Sequence, residues 1–160
     1  MLDEHNTRLP PPTNWQDFEG LCSDLLGEVY GIGLVQKYGR QGQEQNGIDI
    51  IICPNTEHGW IGVQCKQKET YPERDLTASE VQREVAKVTA FKPTISQYVI
   101  VTTAPRDKKI QDLAMEITER HLREGKFSVQ IWSWDDIEEL LRKNPAVLKR
   151  WYLSHQISDI

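Results

Sequence analysis

The sequence predicts an α/β domain in which helices cover both faces of a central mixed five-stranded sheet. Helical and strand-like segments alternate in the order α-β-β-β-α-β-α-β-α, which is typical of layered α/β proteins. A length of 160 residues fits one domain with a substantial core. No apolar run approaches the roughly 18 residues that a membrane span requires, so membrane-spanning proteins are excluded.

The first helix is predicted after an extended lead-in over residues 1–13 that ends in three prolines. Thr13 and Gln16 have the spacing of a capping box, which opens a helix. Apolar residues then recur at helical spacing: Trp15, Phe18, Leu21, Cys22, Leu25, Leu26 and Val29. This stripe predicts that one face of the helix packs on the sheet.

Three strand segments follow the first helix, over residues 34–38, 48–53 and 60–66. A polar loop over residues 39–46 joins the first two strands, and a six-residue loop over 54–59 joins the second and third. Loops of this length connect antiparallel neighbours, so these three strands are expected to form a meander.

Helices and strands alternate in the second half of the chain. Thr77 and Glu80 form a second capping box, and Val81, Val85 and Val88 follow as core positions of that helix. A strand over 98–102, a helix over 107–125, a strand over 127–132 and a helix over 134–142 complete the pattern. The predicted domain spans residues 14–143, and residues 144–160 form a C-terminal tail or a linker toward a further region.

Charge and cysteine content argue against several classes of protein. The net charge is −5, and the acidic excess lies in residues 1–70, which carry 10 Asp and Glu against 5 Lys and Arg. This balance argues against nucleic-acid binding by bulk electrostatics. Three cysteines that form no CxxC motif favour reduced thiols over a disulfide framework or a zinc site. The first residues lack a secretory signal, so we expect a cytoplasmic location.

The second and third strands gather polar residues on one face of the predicted hairpin. With 54–59 as the loop, Asp49 lies opposite Gln64, and Lys66 returns to the same face two residues later. The other face is then wholly apolar and includes the isoleucines at positions 48, 50 and 52. A slip of one residue would mix the two faces, so the pattern itself selects this register.

The polar face of the hairpin has the chemistry of a magnesium site. A carboxylate and an amide oxygen are ligands that Mg²⁺ accepts, and a lysine nearby could orient a water or stabilise phosphate charge. Gly62, which has no side chain, is expected to leave open space beside them. The residues alone leave open a structural alternative, in which Asp49 ends a turn and Lys66 protects a strand edge from aggregation.

Glu19 is a candidate fourth member of this site. On a helical wheel it lies at the border of the apolar stripe, so it is expected at the rim where the first helix meets the sheet. Its spacing leaves open a border glutamate that simply extends into water. Cys65, by contrast, is predicted to face the apolar side of the hairpin, where a thiol is inert, and this argues against a cysteine-dependent enzyme.

Several of these segments together resemble the Mrr-like branch of the PD-(D/E)xK nuclease superfamily. The segments that carry the resemblance are Phe18-Glu19 in the first helix, Gly47-Ile48-Asp49 at the start of a strand, and Val63-Gln64-Cys65-Lys66 at the end of the next. The likeness continues through residues 99–104 and 131–141 and covers roughly residues 14–143. It implies a restriction-endonuclease-like fold, which is a three-layer α/β/α sandwich around a mixed five-stranded sheet.

The resemblance implies Mg²⁺-dependent hydrolysis of DNA phosphodiester bonds, with Mn²⁺ as a substitute for Mg²⁺. Asp49, Gln64 and the backbone carbonyl of Cys65 would bind the metal, and Glu19 would hold the metal or its water shell. Lys66 would position or activate the attacking water. Gln64 departs from the glutamate that is commoner in the superfamily, and the missing negative charge implies weaker metal binding in the absence of DNA.

The DNA contacts and the biological context follow from the same resemblance. Candidate phosphate contacts are Lys37, Arg40, Lys68, Arg83 and Lys87. For the last three, the residues alone leave open a structural alternative, which is charge on a solvated helix face. The resemblance implies a nuclease effector module of a prokaryotic defence or restriction protein that acts on double-stranded DNA. Such a module is expected to form a homo-oligomer or to be fused to a sensor or oligomerising region. The alternative is a catalytically degraded DNA-binding or assembly domain of the same fold.

Overall fold

A mixed five-stranded sheet forms the centre of the protein. The computed structural model describes residues 8–40, 43, 46–69 and 74–153. The strands are β1 (Val35–Lys37), β2 (Ile50–Ile52), β3 (Trp60–Lys66), β4 (Ile95–Thr102) and β5 (Ser128–Trp132). They lie in sequence order, with β1, β2 and β3 antiparallel and with β3, β4 and β5 parallel. The predicted meander and the mixed sheet are therefore confirmed.

Helices cover both faces of this sheet. In the described residues they are α1 (Trp15–Tyr30), α2 (Ala78–Val88), α3 (Lys108–Arg123), α4 (Trp134–Lys143) and the short α5 (Pro145–Leu148). Buried residues of α1, α4 and α5 pack on one face of the sheet, and those of α2 and α3 pack on the other. The predicted three-layer α/β/α sandwich is confirmed.

Helix α1 begins one residue later than the capping pattern predicts. The side chain of Asn14, not that of Thr13, accepts a hydrogen bond from a free backbone N–H of the first turn, that of Asp17, at 2.8 Å. Asparagine caps a helix at least as well as threonine, so two adjacent candidates compete and the sequence does not separate them. The second predicted capping box, between Thr77 and Glu80, opens α2 as expected.

The hairpin of β2 and β3 has the predicted register over its regular part but changes at Asp49. Ile50 pairs with Val63 and Ile52 with Ile61, as the apolar pattern requires. The Asp49 N–H, however, also donates to the Val63 carbonyl at 2.8 Å. Two successive residues thus bond to one partner, as in a β-bulge, and the alternation of faces breaks there.

This break moves Ile48 to the opposite side from the one predicted. Its side chain packs with the α2 and α3 layer and not with Ile50 and Ile52. A Cβ atom on Gly62 would lie 2.7 Å from the Ile48 Cδ1 atom. The prediction of open space beside Gly62 is therefore wrong, because Ile48 fills it.

We expect Gly62→Ala to destabilise the fold by about 1–3 kcal/mol, because the new methyl group would overpack a fully buried isoleucine. Urea unfolding measures this difference. Gly33→Ala is the matched control: no atom of the described residues lies within 4 Å of a Cβ atom at Gly33, so its effect should stay within about 0.5 kcal/mol. Equal stability of the two variants would contradict the close contact between Gly62 and Ile48.

The chain before α1 and the chain after α4 contact the same side of the molecule. The Trp134 indole N–H donates to the Leu9 carbonyl at 2.9 Å, and the Tyr152 hydroxyl donates to the Pro10 carbonyl at 2.8 Å. Val147 of α5 is fully buried against the α1 layer. Residues 1–7 of the predicted lead-in and 154–160 of the predicted tail lie outside the described residues. Within the described part of the chain, no helix has the length and hydropathy needed to cross a bilayer.

Candidate functional site

Glu19, Asp49, Gln64 and Cys65 line one cavity of about 510 Å³ at the edge of the sheet. Glu19 lies on helix α1, and Asp49 directly precedes β2. Gln64 and Cys65 lie at the end of β3. The structure thus brings together four of the residues that the sequence singled out, from three separate segments. Lys66 lies next to them on β3 but turns toward α2.

Asp49 is held in place by the backbone of β3. Its Oδ2 atom accepts a hydrogen bond from the Cys65 N–H at 2.8 Å. The Gln64 carboxamide forms hydrogen bonds in the orientation in which its nitrogen donates to the Gly47 carbonyl at 2.8 Å and to Asp49 Oδ2 at 3.3 Å. In that orientation the Gln64 side chain joins the Asp49 carboxylate to the segment that carries Gly47.

Gly47 sets the path of the chain into Asp49. It has a φ of +78°, which favours glycine, and a Cβ atom there would lie 3.1 Å from the Glu84 carbonyl of α2. Its own carbonyl accepts a hydrogen bond from the buried hydroxyl of Tyr98 at 2.6 Å. The segment that carries Asp49 is thus anchored to both β4 and α2.

The electrostatics of the cavity favour a cation. Burial raises the pKa of the Asp49 carboxyl, against the opposing effects of the Cys65 N–H and of Lys66. Burial, and then repulsion from Asp49, raises the pKa of the Glu19 carboxyl as well. Lys37 opposes the rise at Glu19 in part, and a bound cation would relieve the remaining repulsion between the two carboxylates.

Lys66 forms an ion pair with a residue of α2. Its ammonium nitrogen lies 2.7 Å from the Glu84 Oε1 atom. Glu84 also lines a second cavity, of about 400 Å³, together with Asp49, Gln64 and Lys87. Asp49 and Gln64 therefore separate two adjoining cavities, one bordered by α1 and the other by α2.

Cys65 presents its backbone to the site and its thiol to the core. The side chain packs against the apolar layer under α1. A hydrogen bond with the Cys22 thiol, together with burial, holds the pKa of the Cys65 thiol well above its usual range. The thiol is thus unreactive, in agreement with the sequence prediction.

The five predicted DNA contacts fall into two groups. Lys37 and Arg40 line the first cavity, and Lys87 lines the second. Lys68 is paired with Glu80 of α2, and Arg83 is exposed on α2 but lines neither cavity. The structure therefore brings three of the five cations to the site. Part of the predicted loop over 39–46 lies outside the described residues.

Glu84 is the site residue that sequence reasoning missed. It lies three residues after Val81 and four before Val88, which are core positions of α2, and it is only 1% exposed. A glutamate inside an apolar helical stripe is unusual, because carboxylates are almost never fully buried unless they are paired. That position in the stripe was the available signal.

The donor set matches a hard cation with few protein ligands. No group of three or more His, Cys, Asp or Glu side chains that could hold a metal occurs among the described residues. The carboxylates of Glu19 and Asp49 and the carboxamide of Gln64 do line the first cavity. Mg²⁺ is commonly bound by one or two carboxylates and keeps several waters, whereas zinc takes a full set of nitrogen or sulfur ligands. The residues present thus fit Mg²⁺.

Comparison with known proteins identifies the family. The model of the Mrr catalytic family, described as restriction endonuclease, matches residues 12–141, well over half of the chain. No match was found among curated proteins or among solved structures. The matched segment runs from before α1 into α4. It contains every residue that lines the two cavities. The chain belongs to the Mrr-type restriction endonuclease family and is a restriction-type nuclease domain.

Proposed function

We propose that this protein is a Mg²⁺-dependent endonuclease that hydrolyses phosphodiester bonds in double-stranded DNA. One observation carries the proposal: Glu19, Asp49 and Gln64 line one cavity, and Lys66, which follows on β3, interacts electrostatically with Asp49. Phosphodiester hydrolysis needs positive charge at the phosphate and an oriented water, and these residue types supply both needs.

The metal would be held by Asp49, by the Gln64 amide oxygen and by the Cys65 carbonyl, with Glu19 on the metal or its waters. The bound ion, Mg²⁺ or Mn²⁺ in its place, would lower the pKa of a water and polarise the phosphate. Gln64 carries no charge, so we expect tight metal binding only when a DNA phosphate completes the site.

The chain's own residues would position the substrate. The Lys66 ammonium has three N–H donors, and only one is needed for Glu84, so the others can orient a water or a phosphate oxygen. Lys37 and Arg40 at the first cavity and Lys87 at the second can bind phosphates on either side of Asp49. A net charge of −5 implies that these contacts alone bind DNA weakly.

Weak intrinsic affinity agrees with a role as the effector module of a larger cytoplasmic assembly. We propose a prokaryotic defence or restriction protein in which this domain oligomerises or is joined to a sensor region. Clustering of several copies would raise the local concentration of nuclease sites on one DNA. The proposal thus predicts activity that increases on assembly.

Cleavage of supercoiled plasmid tests the function directly. The native chain, with Mg²⁺, should nick or linearise the plasmid, and EDTA should stop the reaction. Lys66→Ala should abolish cleavage while the fold is retained, because the oriented ammonium is lost. Lys109→Ala, on the exposed side of α3, is the matched control and should cleave like the native chain.

The outcomes separate the two functions. Metal-dependent cleavage that is lost only in Lys66→Ala would establish the nuclease and its site. If the native chain binds DNA but never cleaves it, even when joined to an artificial oligomeriser, the alternative holds, and the domain serves in DNA binding or assembly. Cleavage that persists in Lys66→Ala would contradict the assigned role of this lysine.

A further inference from the structure

Glu84 has surroundings that a structural role does not explain. Its side chain is 1% exposed, and the ammonium groups of Lys66 and Lys87 approach the same oxygen, Oε1, at 2.7 and 3.3 Å. The other oxygen, Oε2, is buried and has no hydrogen-bond partner among the described residues. An unpaired buried carboxylate oxygen is costly, and such groups in native proteins call for an explanation.

An apolar residue would serve the packing of α2 better. Val81, Val85 and Val88 occupy the neighbouring inward positions of this helix. A buried ion pair is often no more stable than well-packed apolar side chains of similar volume. The stability of α2 therefore gives no reason for a carboxylate at position 84.

The two lysines differ in what they can do for the site. Lys66 is 23% exposed and lies on β3, two residues after Gln64, whereas Lys87 is 51% exposed on α2. Lysine is a flexible point charge on a four-carbon stem, so its ammonium needs a fixed partner to remain in one place. Glu84 comes from a different layer of the fold and supplies that partner at the edge of the cavity.

We propose that Glu84 is a positioning residue that holds the Lys66 ammonium beside Asp49 and Gln64. The inference rests on the proposed nuclease function and deepens it. Glu84 itself touches neither the DNA nor the metal. It acts on the reaction through Lys66, whereas Lys87, which is half-exposed, keeps its charge at the adjoining cavity whether or not Glu84 is present.

The test is Glu84→Gln, which keeps the shape of the side chain and removes its charge. On a labelled duplex with saturating Mg²⁺, we expect kcat to fall about ten- to hundredfold, as for other groups that orient a catalytic side chain, and KM to stay within about twofold. Lys87→Gln should instead raise KM for DNA and change kcat by no more than about twofold. Mg²⁺ affinity, measured by calorimetry, should be the same for native and Glu84→Gln chains.

Glu138→Gln is the matched control. Glu138 is also a nearly buried glutamate with two basic partners, Arg8 and Arg142, but it lies on α4 in the opposite layer. The Glu138→Gln variant should cleave DNA at the same rate as the native chain. If Glu84→Gln unfolds, as urea denaturation would show, Glu84→Met provides the same comparison with an apolar side chain that adapts to irregular gaps.

Each outcome decides the matter. A fall in kcat for the Glu84 variant, with KM and Mg²⁺ affinity preserved, supports the positioning role. If Glu84→Gln cleaves as well as an active native chain, this inference alone is overturned. If Glu84→Gln loses Mg²⁺ affinity, the inference is overturned because Glu84 would then be a metal ligand. A native chain that does not cleave at all overturns the proposed function and this inference with it.

Discussion

Asp49→Asn should abolish cleavage and weaken Mg²⁺ binding while the fold is preserved. The Asp49 carboxylate is anchored by the Cys65 N–H at 2.8 Å, and an asparagine oxygen can accept the same hydrogen bond. The negative charge is lost, however, and with it several kcal/mol of metal-based stabilisation of the transition state. We expect at least a roughly thousandfold loss in the cleavage rate and a loss of about tenfold or more in Mg²⁺ affinity by calorimetry.

The same variant should be at least as stable as the native chain at pH 7 in the absence of metal. Burial raises the pKa of Asp49, so the stability that this group contributes is complete only below its ordinary value of 3.8 and is lost as the pH rises through the raised value. Asparagine has no such loss. Urea unfolding at several pH values measures the free energy of unfolding of both chains. The excess of Asp49→Asn over the native chain at neutral pH should decrease as the pH falls toward 3.8.

Glu116→Gln is the control for this pair of measurements. Glu116 is an exposed carboxylate on α3, far in the sequence from the site, so its loss should change neither cleavage nor metal affinity. Unchanged calorimetry for Asp49→Asn would mean that Asp49 is not a metal ligand. A marked drop in its stability at pH 7 would instead make the aspartate a structural residue.

Phe18→Ala should cost about 3–5 kcal/mol of folding free energy. Phe18 is fully buried between α1 and the sheet, and it directly precedes Glu19. A loss of this size is a large part of the total stability of a typical domain, about 5–15 kcal/mol. Cleavage should fall as well, because α1 would no longer hold Glu19 against the cavity that contains Asp49.

Val29→Ala supplies the comparison on the same helix. Val29 is 43% exposed, so its truncation should change the unfolding free energy by no more than about 0.5 kcal/mol. Urea unfolding of both variants measures the difference between a core position and a surface position of α1. A loss below about 1 kcal/mol for Phe18→Ala would mean that α1 is not fixed to the sheet as described.

Local patterns in the sequence determined the elements of this fold and the pairing of its central hairpin. The bounds of β3, the capping box at Thr77 and Glu80, and the pairing of Ile50 with Val63 all follow from residues close in the chain. Each depends on an interaction within one element or between two elements joined by a short loop. Such interactions leave a periodic trace that can be recognised in the sequence alone.

The candidate site was predictable only in part, for the same reason. The hairpin pattern placed Asp49, Gln64 and Lys66 on one face, and the border position of Glu19 put it at the rim where α1 meets the sheet. The ladder break at Asp49 and the movement of Ile48 over Gly62 were not predicted. A bulge depends on how the chain fits between layers, and a period-two pattern contains no information about it.

Glu84 shows most directly what the tertiary structure decided. It lies 18 residues after Lys66, on a helix whose sequence indicates only an inward face. Nothing in that spacing says which strand the helix covers or which side chain its carboxylate will meet. The packing of α2 on the sheet brings the two charges to 2.7 Å and excludes water from one of them. Periodicity fixes which face of an element is buried, whereas the partners across that face are chosen by three-dimensional packing.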